Sequence, residues 1–217
     1  MRRLALAGLV GPSLFATVVI ALTALEWDFL HDLGWTAGPF DQPDAPWPSS
    51  VGLGNYGFLL VLAFLLLGLS VIALAVVLFR LVDVRWKVGP SLVVILAAGF
   101  LLSAFRTDYG SAGGGGPDTW NGAAHAAGLT VVILAGIASM FVLAAQFGRD
   151  ERWRAFRWRS LAAAVLALAS MTGTLAGGGT LFFACFLAIV LVWLSVVSAR
   201  AVSLTRSRSA HPTGLVA

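Results

Sequence analysis

Residues 56–87 read YGFLLVLAFLLLGLSVIALAVVLFRLVDVRWK: a run from 56 to 79 without a single charge, then Arg80, Arg85 and Lys87 in close succession. As a helix, that run would rise about 36 Å at 1.5 Å per residue, enough to cross a hydrocarbon layer of about 30 Å, and the cations would mark the end that meets water. Backbone polar groups inside lipid must be paired within the segment, so the run reads as a helix and not as an open strand.

Working outward, five more apolar runs lie at 4–25, 88–105, 123–147, 160–176 and 180–199. They predict an all-α fold, a polytopic membrane bundle of six transmembrane helices forming one domain over 1–217, with outer loops at 26–55 and 106–122. Composition agrees: 59% of residues are hydrophobic, 11% are charged and the mean hydropathy is +0.91. Soluble domains carry about 25% charged residues. The first run follows Arg2 and Arg3 but is too long for the apolar region of a secretory signal, and 24–26 offers no small-residue cleavage site, so it is expected to be retained.

Charge sets the expected orientation. Arg2 and Arg3, then Arg80, Arg85 and Lys87, then Arg149, Arg152, Arg154, Arg157 and Arg159, then Arg200, Arg206 and Arg208 all fall in alternate connections. The other connections carry Glu26, Asp28, Asp32, Asp41, Asp44, Asp108 and Asp118 against one cation, Arg106. The positive-inside rule then places both termini in the cytoplasm of a multi-pass protein of the inner (plasma) membrane. Trp27, Trp35, Trp47 and Trp120 on one side and Trp86, Trp153 and Trp158 on the other are expected to form aromatic belts. Basic residues dispersed at helix ends do not make a nucleic-acid surface; the 149–159 segment suits anionic lipid headgroups instead. The single Cys185 excludes an internal disulfide.

Polar chemistry concentrates in the outer loops. If helix continues past 25, Asp28, His31 and Asp32 share one face, a spacing able to hold a cation or orient a protonated imidazole. Arg106, alone among acids, is expected to pair with Asp108 or a loop carboxylate, or to hold an anionic ligand. His125 opens an alanine-rich helix, which suggests a specific partner such as Asp108, a carbonyl or a ligand. Asp28, Asp32, Asp108 and His125 are therefore the candidate catalytic residues, and Arg106, Asp108, His125 and Trp120 the candidate ligand-binding ones. No metal is favoured, although His31, His125 and Asp108 would supply two nitrogens and a carboxylate if brought together. No cofactor is predicted, a bound lipid or metal being the exception that would need one of these sites.

Four short elements, Asp32-Leu33-Gly34, Asn55-x-Gly57-Phe58, Phe105-x-Thr107-Asp108 and Gly122-x-x-His125, resemble the prokaryotic DUF998 membrane proteins over nearly the whole chain. The resemblance implies a six-span architecture and no particular reaction. Phe182 and Phe183 stand where that family would be expected to carry a polar or basic residue. Two functions fit: non-catalytic binding of a lipid, small ligand or partner subunit through the outer cap, or a membrane-surface hydrolase using the outer Asp and His residues. The first is preferred, because there is no GxSxG element and no HExxH pair; an ion-coupled transporter is disfavoured because no ionisable residue lies in the middle of any span. Membrane lipids, a partner membrane subunit or a second copy of the chain are the expected partners; nucleic acid is not.

Overall fold

The computed structural model describes residues 1–34, 48–112 and 116–209, and among them every regular element is helical. Six helices make the body: α1 (Arg2–Leu25), α3 (Gly57–Leu81), α4 (Val88–Leu102), α6 (Trp120–Phe147), α7 (Arg154–Gly173) and α8 (Gly179–Ser209). Two short ones, α2 (Trp27–Asp32) and α5 (Tyr109–Ala112), together with a tight 3-10 turn at Ser49–Leu53, lie in the connections at one end.

The six helices form a ring in chain order, closed by α8 against α1 and pinched where α3 also touches α8. Neighbours run antiparallel. His125, near the start of α6, meets Phe105 just past α4, whereas Gly89 at the start of α4 meets Leu143 and Gln146 at the end of α6. Lipid is as apolar as leucine, so close approach and interhelical bonding hold such helices together more than hydrophobic transfer does. A Cβ at Gly128 of α6 would lie 2.5 Å from the Ser103 nitrogen, and one at Gly99 of α4 would lie 2.9 Å from the Val132 nitrogen. The α4–α6 contact is therefore backbone on backbone. Between α7 and α8 a wide π-turn, Thr174–Gly178, ends at Gly179 with φ +58°, a conformation that favours glycine.

The all-helical, multi-pass expectation holds among the described residues. Among the described residues five helices (α1, α3, α6, α7, α8) are long and apolar enough to cross a membrane, while the apolar α4 has 15 residues. It stops at Leu102 because Ala104 and Phe105 tighten onto the Leu101 and Leu102 carbonyls. Elsewhere helices outrun their apolar runs: α6 begins at Trp120, α7 at Arg154, and α8 continues to Ser209. Hydropathy marks the lipid-like layer, and helical hydrogen bonding does not stop there. The aromatic belt also needs correction. Trp86, Trp120 and Trp158 are exposed, but Trp153 is fully buried, stacked on Phe147 at 4.6 Å and 7°. Trp35 and Trp47 lie outside the described residues.

Candidate functional site

The site is the polar cap over the end where α1, α4 and α7 finish. It starts with Asp108. Its Oδ2 accepts from the backbone N–H of Asp118 (2.9 Å) and Thr119 (2.8 Å) and from the Thr119 hydroxyl (2.8 Å). Thr119 is the N-cap of α6, its Oγ1 accepting from the Gly122 N–H at 3.1 Å. A carboxylate here satisfies N–H groups that the helix cannot, and it sits at the positive end of the helix dipole. Gly122 is the residue that lets it in: a Cβ there would lie 2.1 Å from Oδ2.

One turn on, His125 is buried with both ring nitrogens engaged. Nδ1 lies 2.8 Å from the Phe105 carbonyl, which can only accept, so Nδ1 carries the proton. In the neutral ring Nε2 then accepts from the Ser49 hydroxyl, also at 2.8 Å. The ring edge meets Phe64, which in turn packs on Phe15, so the imidazole joins the cap to the apolar interior. Ser49 opens the 3-10 turn, all five of whose residues are buried.

Arg106 holds the other end of that turn. Its Nε donates to the Gly52 carbonyl and its Nη2 to the Leu53 carbonyl, each at 2.9 Å. Arg106 thus pairs with the carbonyls of a turn, and among the described residues no acid lies within ion-pair distance of it, Asp108 included. Asp41 and Asp44 fall outside the described residues. Glu26, which the sequence presented only as one of seven acids in the outer connections, is 4% exposed and accepts from the Tyr56 N–H at 2.6 Å, at the N-terminus of α3. It rests against Gly54, where a Cβ would lie 2.5 Å from the carboxyl carbon. An acid directly after an apolar run, ahead of a glycine-bounded helix start, was its only signal.

The remaining candidates stay apart from this network. Asp28, His31 and Asp32 do share α2, and all three are exposed. Trp120 is 68% exposed and crosses the Phe105 ring at 4.9 Å. Among the described residues no three His, Cys, Asp or Glu side chains are grouped to hold a metal ion, so His31, His125 and Asp108 do not assemble as a metal set. The residues missed from sequence are Ser49 and Glu26, with the Gly52, Leu53 and Phe105 carbonyls.

Residues 9–200 match the family described as Protein of unknown function (DUF998). The chain belongs to that family. No curated protein and no solved structure matches it. In this DUF998 member three of the four short elements that carried the resemblance have local roles. Phe105 presents a carbonyl, Asp108 and Gly122 form the α6 cap, and His125 bolts that cap to the Ser49 turn, while Asn55-x-Gly57-Phe58 opens α3 beside Glu26.

The opposite end of this DUF998 protein holds a second polar network. Asp150 and Arg152 form a two-point pair, Nε–Oδ1 at 3.0 Å and Nη2–Oδ2 at 2.8 Å. Asp150 Oδ2 also accepts from the Asp83 N–H at 3.2 Å, and Arg152 Nη2 donates to the Leu81 carbonyl at 2.8 Å. Arg200 of α8 donates through Nε and Nη2 to the Arg152 carbonyl. Burial pushes the Asp150 carboxyl up, but the Arg152 guanidinium and the Asp83 N–H outweigh it and hold it below the usual carboxylate range.

Proposed function

We propose that the protein is a six-span plasma-membrane protein with both termini in the cytoplasm, and that it works by binding and not by catalysis, its outer cap serving as a closed lid on the helix ring. Membrane lipids, with a partner subunit or a second copy, are its partners. Support for six crossings is the antiparallel ring, in which the two ends of α4 meet the two ends of α6. Support for orientation is the separation of charge: Arg80, Arg85, Arg149 and Arg200 lie at one end, Glu26, Asp108 and Asp118 at the other.

The observation that carries the binding reading is that the polar groups of the cap bond to the chain itself. Both nitrogens of His125, two guanidinium nitrogens of Arg106 and one oxygen of Asp108 have internal partners. A hydrolase needs such groups turned towards a reacting bond. One geometry favours the second reading: Ser49 hydroxyl, His125 Nε2 and a carbonyl on Nδ1 are ordered like a nucleophile, base and orienting group. A fluorophosphonate probe on the purified full chain separates the two. No labelling at Ser49, with His125→Ala lowering the unfolding temperature while bound lipid is retained, is the expected result. Labelling abolished by Ser49→Ala would overturn the binding reading in favour of the hydrolase.

A further inference from the structure

Two apolar furrows flank the outward face of α8. The larger, about 440 Å³, runs between α7 and α8, bounded by Ala163, Leu166, Ile189 and Val196. Its floor is Trp193, whose indole N–H is already satisfied by the Ser160 hydroxyl at 3.0 Å, so the surface it turns to the furrow is purely apolar. The smaller, about 220 Å³, lies between α8 and α1, bounded by Phe15, Val19, Leu187 and Leu191. Ala188 and Val192, one turn apart on α8, border both. A low ridge thus separates two channels on one lipid-facing surface.

The larger furrow has a charged mouth. Arg159 lines it at the basic end, over the Phe156 ring at 4.9 Å, and among the described residues no carboxylate lies within ion-pair distance of it. Next to it Trp158 is 65% exposed, as an indole at the headgroup level is expected to be. From Arg159 to Leu166 the furrow descends about 10 Å along α7 into the apolar layer. A guanidinium at headgroup depth, above a channel without polar groups, matches a molecule that is anionic at one end and hydrocarbon at the other.

We infer that this face binds an anionic diacyl phospholipid from the leaflet at the basic end, its phosphate on Arg159, one acyl chain between α7 and α8, and the second across the Ala188–Val192 ridge towards α1. The site names the lipid class of the binding reading and rests on that reading. Its test is native mass spectrometry of the full chain released from vesicles of equal phosphatidylglycerol and phosphatidylcholine with identical chains. The wild type should retain phosphatidylglycerol in excess. Arg159→Gln should reduce that excess about five-fold, the typical worth of one basic residue at an anionic surface. Ala188→Phe should lower retention of both lipids, whereas Leu69→Phe, on the lipid-facing side of α3, should change neither. An excess unchanged in Arg159→Gln, or retention unchanged in Ala188→Phe, overturns the site. A wild type that retains both lipids equally removes this site and leaves lipid binding standing; one that retains none overturns both.

Discussion

One carboxylate oxygen, Oδ2 of Asp108, takes three donors at the start of α6, and Gly122 is close enough that the two positions cannot be independent. Asp108→Ala removes a capping acceptor and should cost about 1–2 kcal/mol. Gly122→Ala inserts a methyl where the carboxylate lies, and should cost a similar amount by overpacking, about 1–3 kcal/mol. In the double variant the methyl finds the space vacated, so the combined cost should be smaller than the two single costs together. Thermal unfolding in detergent measures all three; strict additivity would contradict the geometry. At the other end Asp150 gives a pH signature. Its carboxyl titrates below the ordinary 3.8, so the stability it lends is complete above that value and is lost as pH falls through the lower, folded one. The unfolding temperature should show an acid-side fall below about pH 4 that Asp150→Asn flattens, the variant being less stable at neutral pH because Arg152 loses its partner. Asp108, Arg106 and His125 stood out in the sequence, whereas Glu26 and Ser49 did not, and neither did most of the partners these groups take. Backbone carbonyls of Gly52, Leu53 and Phe105 carry no side-chain signal, and a serine such as Ser49 in a proline-rich loop resembles any other.

Among the helices of the ring, α4 alone is shorter than its apolar run. It has 15 residues, and its seat is set by the glycine pair Gly99 and Gly128 more than by its own reach. Gly128→Leu should push α4 from α6, because the new side chain meets the Ser103 and Leu102 backbone and neither can rotate away. The expected cost is about 1–3 kcal/mol, read as a lower unfolding temperature, with Gly136→Leu, whose Cβ would meet only Leu96 and Val190 at 3.8 Å or more, as the milder control. Apolar runs showed where helices pass through the lipid-like layer, because burial in hydrocarbon selects composition. Helix ends were less legible, since they depend on caps such as Thr119 and on turns such as Ser103–Phe105, where local hydrogen bonds decide.

For the whole molecule, opposite charge at the two ends makes topology the decisive measurement. In a Cys185→Ala background, a cysteine at Trp86 should be shielded from a membrane-impermeant reagent in intact cells and one at Trp120 should react, both positions being exposed. The reverse pattern would invert the orientation, and equal reactivity would remove a crossing between them. Segregation of charge was visible in the linear sequence because it depends only on order along the chain. Ring closure was not, because it joins α1 to α8, the two helices farthest apart in that order. That seam has a biosynthetic consequence. Of these helices α1 leaves the ribosome first and α8 last, so the flank of α1 carrying Gly8, beside Ser198, waits for its neighbour while α3 to α7 are made. Until then a nascent chain offers an open side to lipid or to an insertion chaperone, and premature termination anywhere before α8 would leave it that way.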